Sequence, residues 1–530
     1  MAITFGAIRK PVSVPAPPLV AVLASAVGAA MLLPLAYLLI RASEHGAVVE
    51  TLTRDSTIDT LARTCLLAAA VTVSAVMISL PAAWLTARTD LPLRGVWAVL
   101  FALPLVFPSY VGAFTLVAAL GPRGMVQGWL EPLGVDSLPE IYGFRGAWFT
   151  LTIFTFPYVL IPLRAAMMGL DRSMEDAARS LGSSPLGAFV RVTLPQLRPA
   201  LAAGGLLVTL YVLSDFGAVS ILRFDSLTRV IFIQYKSAFD RSEAASLALL
   251  LAAVALGAVW LESLTRGRAR YSSTAVRREP RVVRLGRWRW PALAFCVALV
   301  AVSLVMPASV LVYWFVRGID TGQSVDFVSS SAVHSVEASG LAAAAAILFA
   351  LPVAVLSVRH PGLLSRLIEK ASYTGFALPG ISIALALVFF AANYVPAIYQ
   401  TLPLLVFAYV VRFMPQALGA SRSSLLQTNP KTEEAARSLG KGRVTVFGRI
   451  TLPQLVPGLS VGGLLVFLTA IKELPATLLL SPIGFSTLAT EIWSSTNEAM
   501  FARAAVPAIL IVLISVIPTT IVVLREQRAR

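Results

Sequence analysis

Two carboxylates sit where carboxylates are costly. Asp215 lies in Ser214-Asp-Phe-Gly-Ala-Val-Ser-Ile-Leu222, and Glu473 in Lys472-Glu-Leu-Pro-Ala-Thr-Leu-Leu-Leu480, each within a long apolar stretch. On insertion scales a carboxylate at mid-bilayer costs about 2.5–3.5 kcal/mol, so such groups face a bundle interior or a water-filled path. Two readings follow. Asp215, Lys472 and Glu473 stand near a translocation path or its gate, or they make interhelical hydrogen bonds that only hold the packing. Successive helical residues point about 100° apart, so Lys472 and Glu473 need not pair with each other. Other chemistry is sparse. His45, His334 and His360 are far apart, no HExxH occurs, and the apolar stretches offer no cluster of oxygen ligands for a hard trivalent ion. Cys65 and Cys296 suggest neither a disulfide framework nor a zinc site, and read as small buried side chains. Gly440-Lys441 lacks the earlier glycine and the Ser/Thr of a phosphate-binding loop, so this chain is not expected to hydrolyse ATP. No catalytic residue, no metal ligand and no bound cofactor is expected.

The elements that must position these groups are apolar helices. Hydrophobic residues make up 57% of the chain and charged residues 13%, against about 25% charge in a soluble domain. With a mean hydropathy of +0.80, lipid is the expected solvent. A spanning helix needs about 20 apolar residues. The first half offers Leu19–Ile40, Leu61–Thr86, Val96–Leu120, Ala147–Leu170, Leu201–Leu222 and Ala244–Leu264. The second offers Pro291–Val316, Gly340–Val358, Ala371–Val395, Ile398–Ala420, Leu459–Leu480 and Ala504–Leu524. The first segment follows Arg9 and Lys10 as a signal peptide would, but it is too long for one and reads as a retained helix. The net charge of +16 is concentrated at segment ends, notably in the nine arginines of Arg266–Arg289. Basic residues beside spans mark the cytoplasmic side, so both termini and this linker are expected there. Aromatic and basic residues are not interleaved as they would be for stacking bases, and no nucleic-acid partner is expected.

An internal repeat carries the sharpest signal. Glu175-Asp-Ala-Ala-Arg-Ser-Leu-Gly182 returns as Glu433-Glu-Ala-Ala-Arg-Ser-Leu-Gly440. Arg191-Val-Thr-Leu-Pro-Gln-Leu197 and Gly204-Gly-Leu-Leu-Val208 also recur, always 258 residues on. Upstream, Tyr158 and Tyr409 read as equivalent at an offset of 251, which implies seven extra residues in the second half before Glu433.

The repeated block joins the fourth and fifth segments of each half. Glu175–Leu181 reads as a short helix with its acids in the first turn, where the helix dipole favours them. Gly182 and Gly440 stand where a helix stops on a left-handed residue. Ser184-Pro185 supplies an N-cap and a first-turn proline for a second short helix ending near Val192, which Leu194-Pro195 is expected to break.

This pattern resembles the EAA loop of type I ABC importers: an acid, two alanines, a glycine four residues on, and a downstream Leu-Pro. The resemblance covers nearly the whole chain. It implies an all-α integral membrane protein of about 12 transmembrane helices, built as two homologous six-helix permease modules. The divisions are a cytoplasmic segment, first helix and outer loop (1–56), module 1 (57–264), the Arg-rich linker (265–290), a seventh helix and outer loop (291–332), module 2 (333–526) and a cytoplasmic tail (527–530). In such importers the loop docks on a cytoplasmic ATPase. The implied coupling residues are Glu175, Asp176, Ala177, Ala178 and Gly182, then Glu433, Glu434, Ala435, Ala436 and Gly440. Asp176 stands where the family usually has Glu. The resemblance also implies partners: two copies of an ABC ATPase that uses ATP-Mg, a periplasmic or lipid-anchored binding protein, and the lipid of a bacterial inner membrane. The Lys472-Glu-Leu-Pro-Ala-Thr run is similar to ferric-iron permeases, with fused permeases for thiamine or phosphonate as alternatives. A six-plus-six-helix secondary transporter is the remaining reading, but it has no need of two near-identical hairpins.

Overall fold

A computed structural model of the chain describes residues 17–44, 50–51, 53–122, 124–134, 139–170, 173–237, 242–265, 282–322 and 327–528. The linker through Arg281, the Arg9–Lys10 end and His45 lie outside them. Among the described residues the structure is helical, with one isolated bridge between Thr89 and Val283. Each of the twelve expected segments lies mainly on helix, but the third and fifth of each half are interrupted. Among the described residues, nine helices are single and both long and apolar enough to cross a membrane. The third segment of each half is bent instead of straight. Arg94–Val106 meets Ser109–Gly128 at 90°, and Leu363–Ala377 meets Gly380–Tyr394 at 107°. The bends fall at Pro108 and Pro379, where the missing N–H and the fixed φ stop a helix from running through. The last helix, Phe501–Arg528, opens with the shorter apolar stretch Phe501–Val516.

Helix bounds correct the register of the repeat. The fourth segments are Phe144–Gly169 and Leu402–Gln427, 258 apart at both ends. Their contacts agree. Tyr158 meets the ring of Tyr211 at 5.5 Å, and the residues 258 further on, Gln416 and Thr469, share a hydrogen bond of 3.2 Å. A Cβ on Gly204 would meet Val159, and one on Gly462 would meet Ala417, again 258 apart. Tyr158 therefore corresponds to Gln416, not Tyr409, and no seven-residue insertion precedes Glu433. The bends set the upstream offset at 271, Ser109 matching Gly380. The difference of 13 lies in the first half, between Leu120 and Phe144, where the short helix Met125–Leu130 has no counterpart. The aromatic at 409 misled because a tyrosine ring fills space at many registers, whereas glycine contacts between helices tolerate one.

The chain forms two compact units that cut across the repeat. One joins the N-terminal helix, through Ile40, to Val333–Phe485. In it Gly28 lies against Ile368, and Tyr37 packs edge-on with Phe390 and Tyr394 while its hydroxyl accepts from Asn393 at 3.0 Å. The other joins Arg41–Ala332 to Ser486–Arg530. In it Phe501 packs on Phe114 and Trp314, and Trp493 on Phe216 and Phe232. Each unit thus takes at least one helix from the other half of the sequence. These aromatic contacts contribute about 0.5–1.5 kcal/mol per pair beyond area burial, enough to fix where the exchanged helices sit.

Candidate functional site

The two hairpins are built alike. Ser173–Ser180 and Pro430–Ser438 form the first helices. Gly182 (φ +90°) and Gly440 (φ +77°) are left-handed, as the sequence required. Ser183 N–H bonds Ala178 C=O and Gly182 N–H bonds Arg179 C=O; Lys441 and Gly440 repeat this on Ala436 and Arg437. This is the paired closure that satisfies the last carbonyls of a helix, and it needs φ > 0 at the glycine. The second short helix begins at Pro185, capped by the Ser184 hydroxyl, which accepts from Gly187 N–H at 3.1 Å. It is not broken at Leu194-Pro195. A π-helical turn, Phe189–Thr193, carries it into Leu194–Ser214, and Phe447–Thr451 does the same before Leu452–Ala470. The widened turn places each proline at the start of the following helix, where its missing N–H costs nothing.

Of the acids, only the second of each copy faces solvent. Glu175 turns inward and accepts from Thr193 Oγ1 at 3.1 Å; Glu433 accepts from Thr451 Oγ1 at 3.1 Å. Glu433 also pairs with Arg359 at 2.9 Å, at the end of Phe327–Arg359, and with Arg437 at 3.5 Å. The first acid therefore ties the hairpin to the start of the fifth segment, and in the second copy to the end of the second segment of that half as well. Asp176, Ala177, Glu434 and Ala435 are exposed, while Ala178 is half-buried and Ala436 buried. The solvent face also carries hydrophobic residues that sequence reasoning missed: Leu181 (89% exposed) and Leu186 (73%), matched by Leu439 (80%) and Val444 (87%). Each matched pair is 258 residues apart. The signal was legible, since Leu181 and Leu439 stand in the quoted repeat beside the stop glycine.

The carboxylates of the apolar stretches do not lie within helices. Leu194–Ser214 stops at Asp215, whose ψ of 127° is extended, and a short helix, Gly217–Ile221, follows. The Asp215 carboxylate accepts from the N–H of Ala218 at 3.0 Å and Val219 at 3.3 Å, and from the Ser109 hydroxyl at the bend of the third segment. Its carbonyl, freed by the break, accepts from Thr228 Oγ1 at 2.6 Å. A carboxylate that bonds its own following N–H groups competes with helix continuation, which is why the expected Leu201–Leu222 helix ends early.

In the other unit Leu452–Ala470 ends two residues before Lys472, and Pro475–Leu480 follows. Glu473 pairs with Arg412 at 3.2 Å and accepts from Ala476 N–H at 3.4 Å. Its carbonyl accepts from Thr477 Oγ1 at 2.5 Å, and Thr477 shares a 2.6 Å hydrogen bond with Tyr409. Lys472 is half-buried at the same break. Arg412, the tenth residue after Leu402 in an apolar helix, was missed; a guanidinium inside the expected Ile398–Ala420 segment was the signal. Among the described residues no three His, Cys, Asp or Glu side chains gather where they could hold a metal ion.

A duplicated helical core with two matching hairpins defines a membrane permease of the importer class. A family profile described as binding-protein-dependent transport system inner membrane component matches residues 75–266 and again 343–530. Together these cover well over half of the chain, which belongs to that family: it is a multi-pass inner-membrane permease subunit of an ABC importer, and not itself an enzyme. It is similar to the Fe(3+)-transport system permease protein FbpB 2 of Haemophilus influenzae, 33% identical over 500 residues, 93% of this chain and 95% of that one. It is also similar to the probable ABC transporter permease protein y4fN of Sinorhizobium fredii, 27% identical over 476 residues, 82% of this chain and 81% of that one. A molybdenum transport system permease protein ModB, of Azotobacter vinelandii, is 30% identical over 180 residues, 34% of this chain and 77% of that one.

Proposed function

We propose that this chain conducts ferric iron, delivered by a periplasmic or lipid-anchored binding protein, and that its two hairpins dock two copies of a separate cytoplasmic ATPase. The observation that carries the coupling is the pair of hairpins. Each is closed by a left-handed glycine, pinned inward by its first acid, and left with an exposed second acid and two exposed hydrophobic residues. Large exposed apolar side chains at matched positions of a soluble loop suit a protein partner, with the acid at the rim to fix register. The cargo rests on similarity to the Haemophilus influenzae protein along nearly the full length of both chains. Hairpins, termini and the Arg-rich linker then face the cytoplasm, in keeping with the basic flanks. The chain acts as a route and not a store: tight oxygen coordination would trap a trivalent ion, and conduction requires a site weak enough to leave.

The test is reconstitution with the ATPase and binding protein in proteoliposomes, following uptake of radioactive ferric iron against molybdate. ATP-dependent iron uptake that needs both partners is expected. Molybdate uptake in its place would overturn the cargo. Uptake that continues without ATPase or ATP would overturn the energy source.

A further inference from the structure

The Arg412–Glu473 pair joins three elements of one unit, and two of them are broken there. Glu473 stands in the interruption between Leu452–Ala470 and Pro475–Leu480. Arg412 comes from the continuous helix Leu402–Gln427. Gly380 opens the second limb of the bent third segment, and a Cβ on it would lie 1.5 Å from Arg412 Nη1 and 2.6 Å from Glu473 Oε1. The ion pair therefore rests on the bend, in space that only glycine leaves free. Broken helices are where a bundle hinges, so a bond that fastens one break to an unbroken helix while packed against the other break resists motion at both.

The other unit ties the same two kinds of break differently. There Ser109, at the matching bend, donates to Asp215, at the matching helix end. The residue 258 before Arg412 is Phe154, whose ring occupies the place that a Cβ on Gly112 would take. One half closes its breaks with a hydroxyl and the other with a guanidinium.

We propose that Arg412, Glu473 and Gly380 form an ion-pair latch that holds the breaks of this unit in their resting arrangement, and that separation of Arg412 from Glu473 is a step of the transport cycle. Arg412 is a positioning residue here: it compensates the carboxylate, so that Glu473 acts as a fastening and not as a cation ligand. This deepens the reading of the chain as an ATP-driven permease and rests on it.

The experiment uses the full chain with ATPase and binding protein in liposomes, comparing wild type with Arg412→Gln, Glu473→Gln, Gly380→Ala and the exchange Arg412→Glu/Glu473→Arg. In a background lacking Cys65 and Cys296, spin labels at exposed Phe376→Cys and Ile483→Cys report the distance across the two breaks. In wild type without ATP a single narrow distance is expected. In each single variant the distribution should broaden or shift. ATP hydrolysis without binding protein should rise about tenfold, the population change that loss of one charge-assisted hydrogen bond produces. The exchange should return both readouts towards wild type. Assembly is checked by co-purification of the ATPase; if Gly380→Ala fails to assemble, the two glutamine variants decide. Wild-type distances and wild-type basal hydrolysis in both glutamine variants would overturn the latch, as would a melting temperature that falls while both readouts stay unchanged. Failure of the cargo reading shows elsewhere, as absence of iron uptake in wild type with binding-protein stimulation intact.

Discussion

Glu433→Gln removes one charge from the inner side of the second hairpin and keeps the size of the side chain. The carboxylate holds three partners: Arg359 at 2.9 Å, Thr451 at 3.1 Å and Arg437 at 3.5 Å. A hydrogen bond to a charged group contributes about 1.5–3 kcal/mol when sheltered. The Arg359 pair is partly open to solvent, which places it at the low end of that range, and the contact to Arg437, four residues on, adds only about 0.3–0.5 kcal/mol. The net loss is about 2 kcal/mol, a shift of roughly thirtyfold in the equilibrium between a hairpin tied to the bundle and a hairpin free of it. Glu175→Gln keeps an amide oxygen that still accepts from Thr193 and loses only the charge assistance of one hydrogen bond, at most about 1 kcal/mol, or roughly fivefold. Binding-protein-stimulated ATP hydrolysis should therefore fall more in Glu433→Gln than in Glu175→Gln, with ATPase still co-purifying in both. The acid acts on the inner face, so docking is spared and transmission is lost. Equal losses in the two variants, or a greater loss in Glu175→Gln, would refute the reasoning, and so would loss of ATPase binding in either.

Gly182→Val and Gly440→Val force a β-branched residue into a left-handed turn, a strain of about 1–2 kcal/mol, and should weaken ATPase association while the protein still inserts, as read by membrane fractionation and co-purification. Leu181→Asp with Leu439→Asp should abolish ATPase association without lowering the melting temperature, because both side chains are exposed; a stable complex would reject the docking face. Asp215→Asn keeps shape but weakens the cap on Gly217–Ile221, so a modest drop in stability of about 1 kcal/mol is expected by thermal unfolding. A charge role at the path would show instead as lost iron uptake at unchanged stability. In a background lacking Cys65 and Cys296, an impermeant thiol reagent applied outside should label Thr53→Cys and spare Leu439→Cys; the reverse pattern would invert the topology.

The hairpins were largely written in the sequence. A left-handed turn has one strong residue preference, and an acid in the first turn of a helix answers a local dipole, so Gly182, Gly440 and their flanking acids could be placed from neighbours alone. Which acid faces out could not, because Thr193, Thr451 and Arg359 reach Glu175 and Glu433 only across the turn. Spans were equally legible as runs of apolar residues, since lipid acts on composition. Their interruptions were not. The bend at Pro108 had a local cause and Asp215 caps its own following N–H groups, but the hydroxyl that completes the bonding of Asp215 lies 106 residues away, and the guanidinium that pairs with Glu473 61 residues away. Hydropathy sums a window and passes over the single residue at which a helix gives way. The register of the fourth segment was settled by Gly204 and Gly462, whose missing side chains match only one partner surface. The partition into units was likewise decided in three dimensions: Tyr37 and Phe501 look like any apolar-helix aromatic in sequence, yet Tyr37 meets Phe390 and Phe501 meets Phe114, each from the other half of the chain. Local rules fix what bonds to its own neighbours; what a buried charge, a glycine face or an exchanged helix touches is set by packing, which the order of residues does not display.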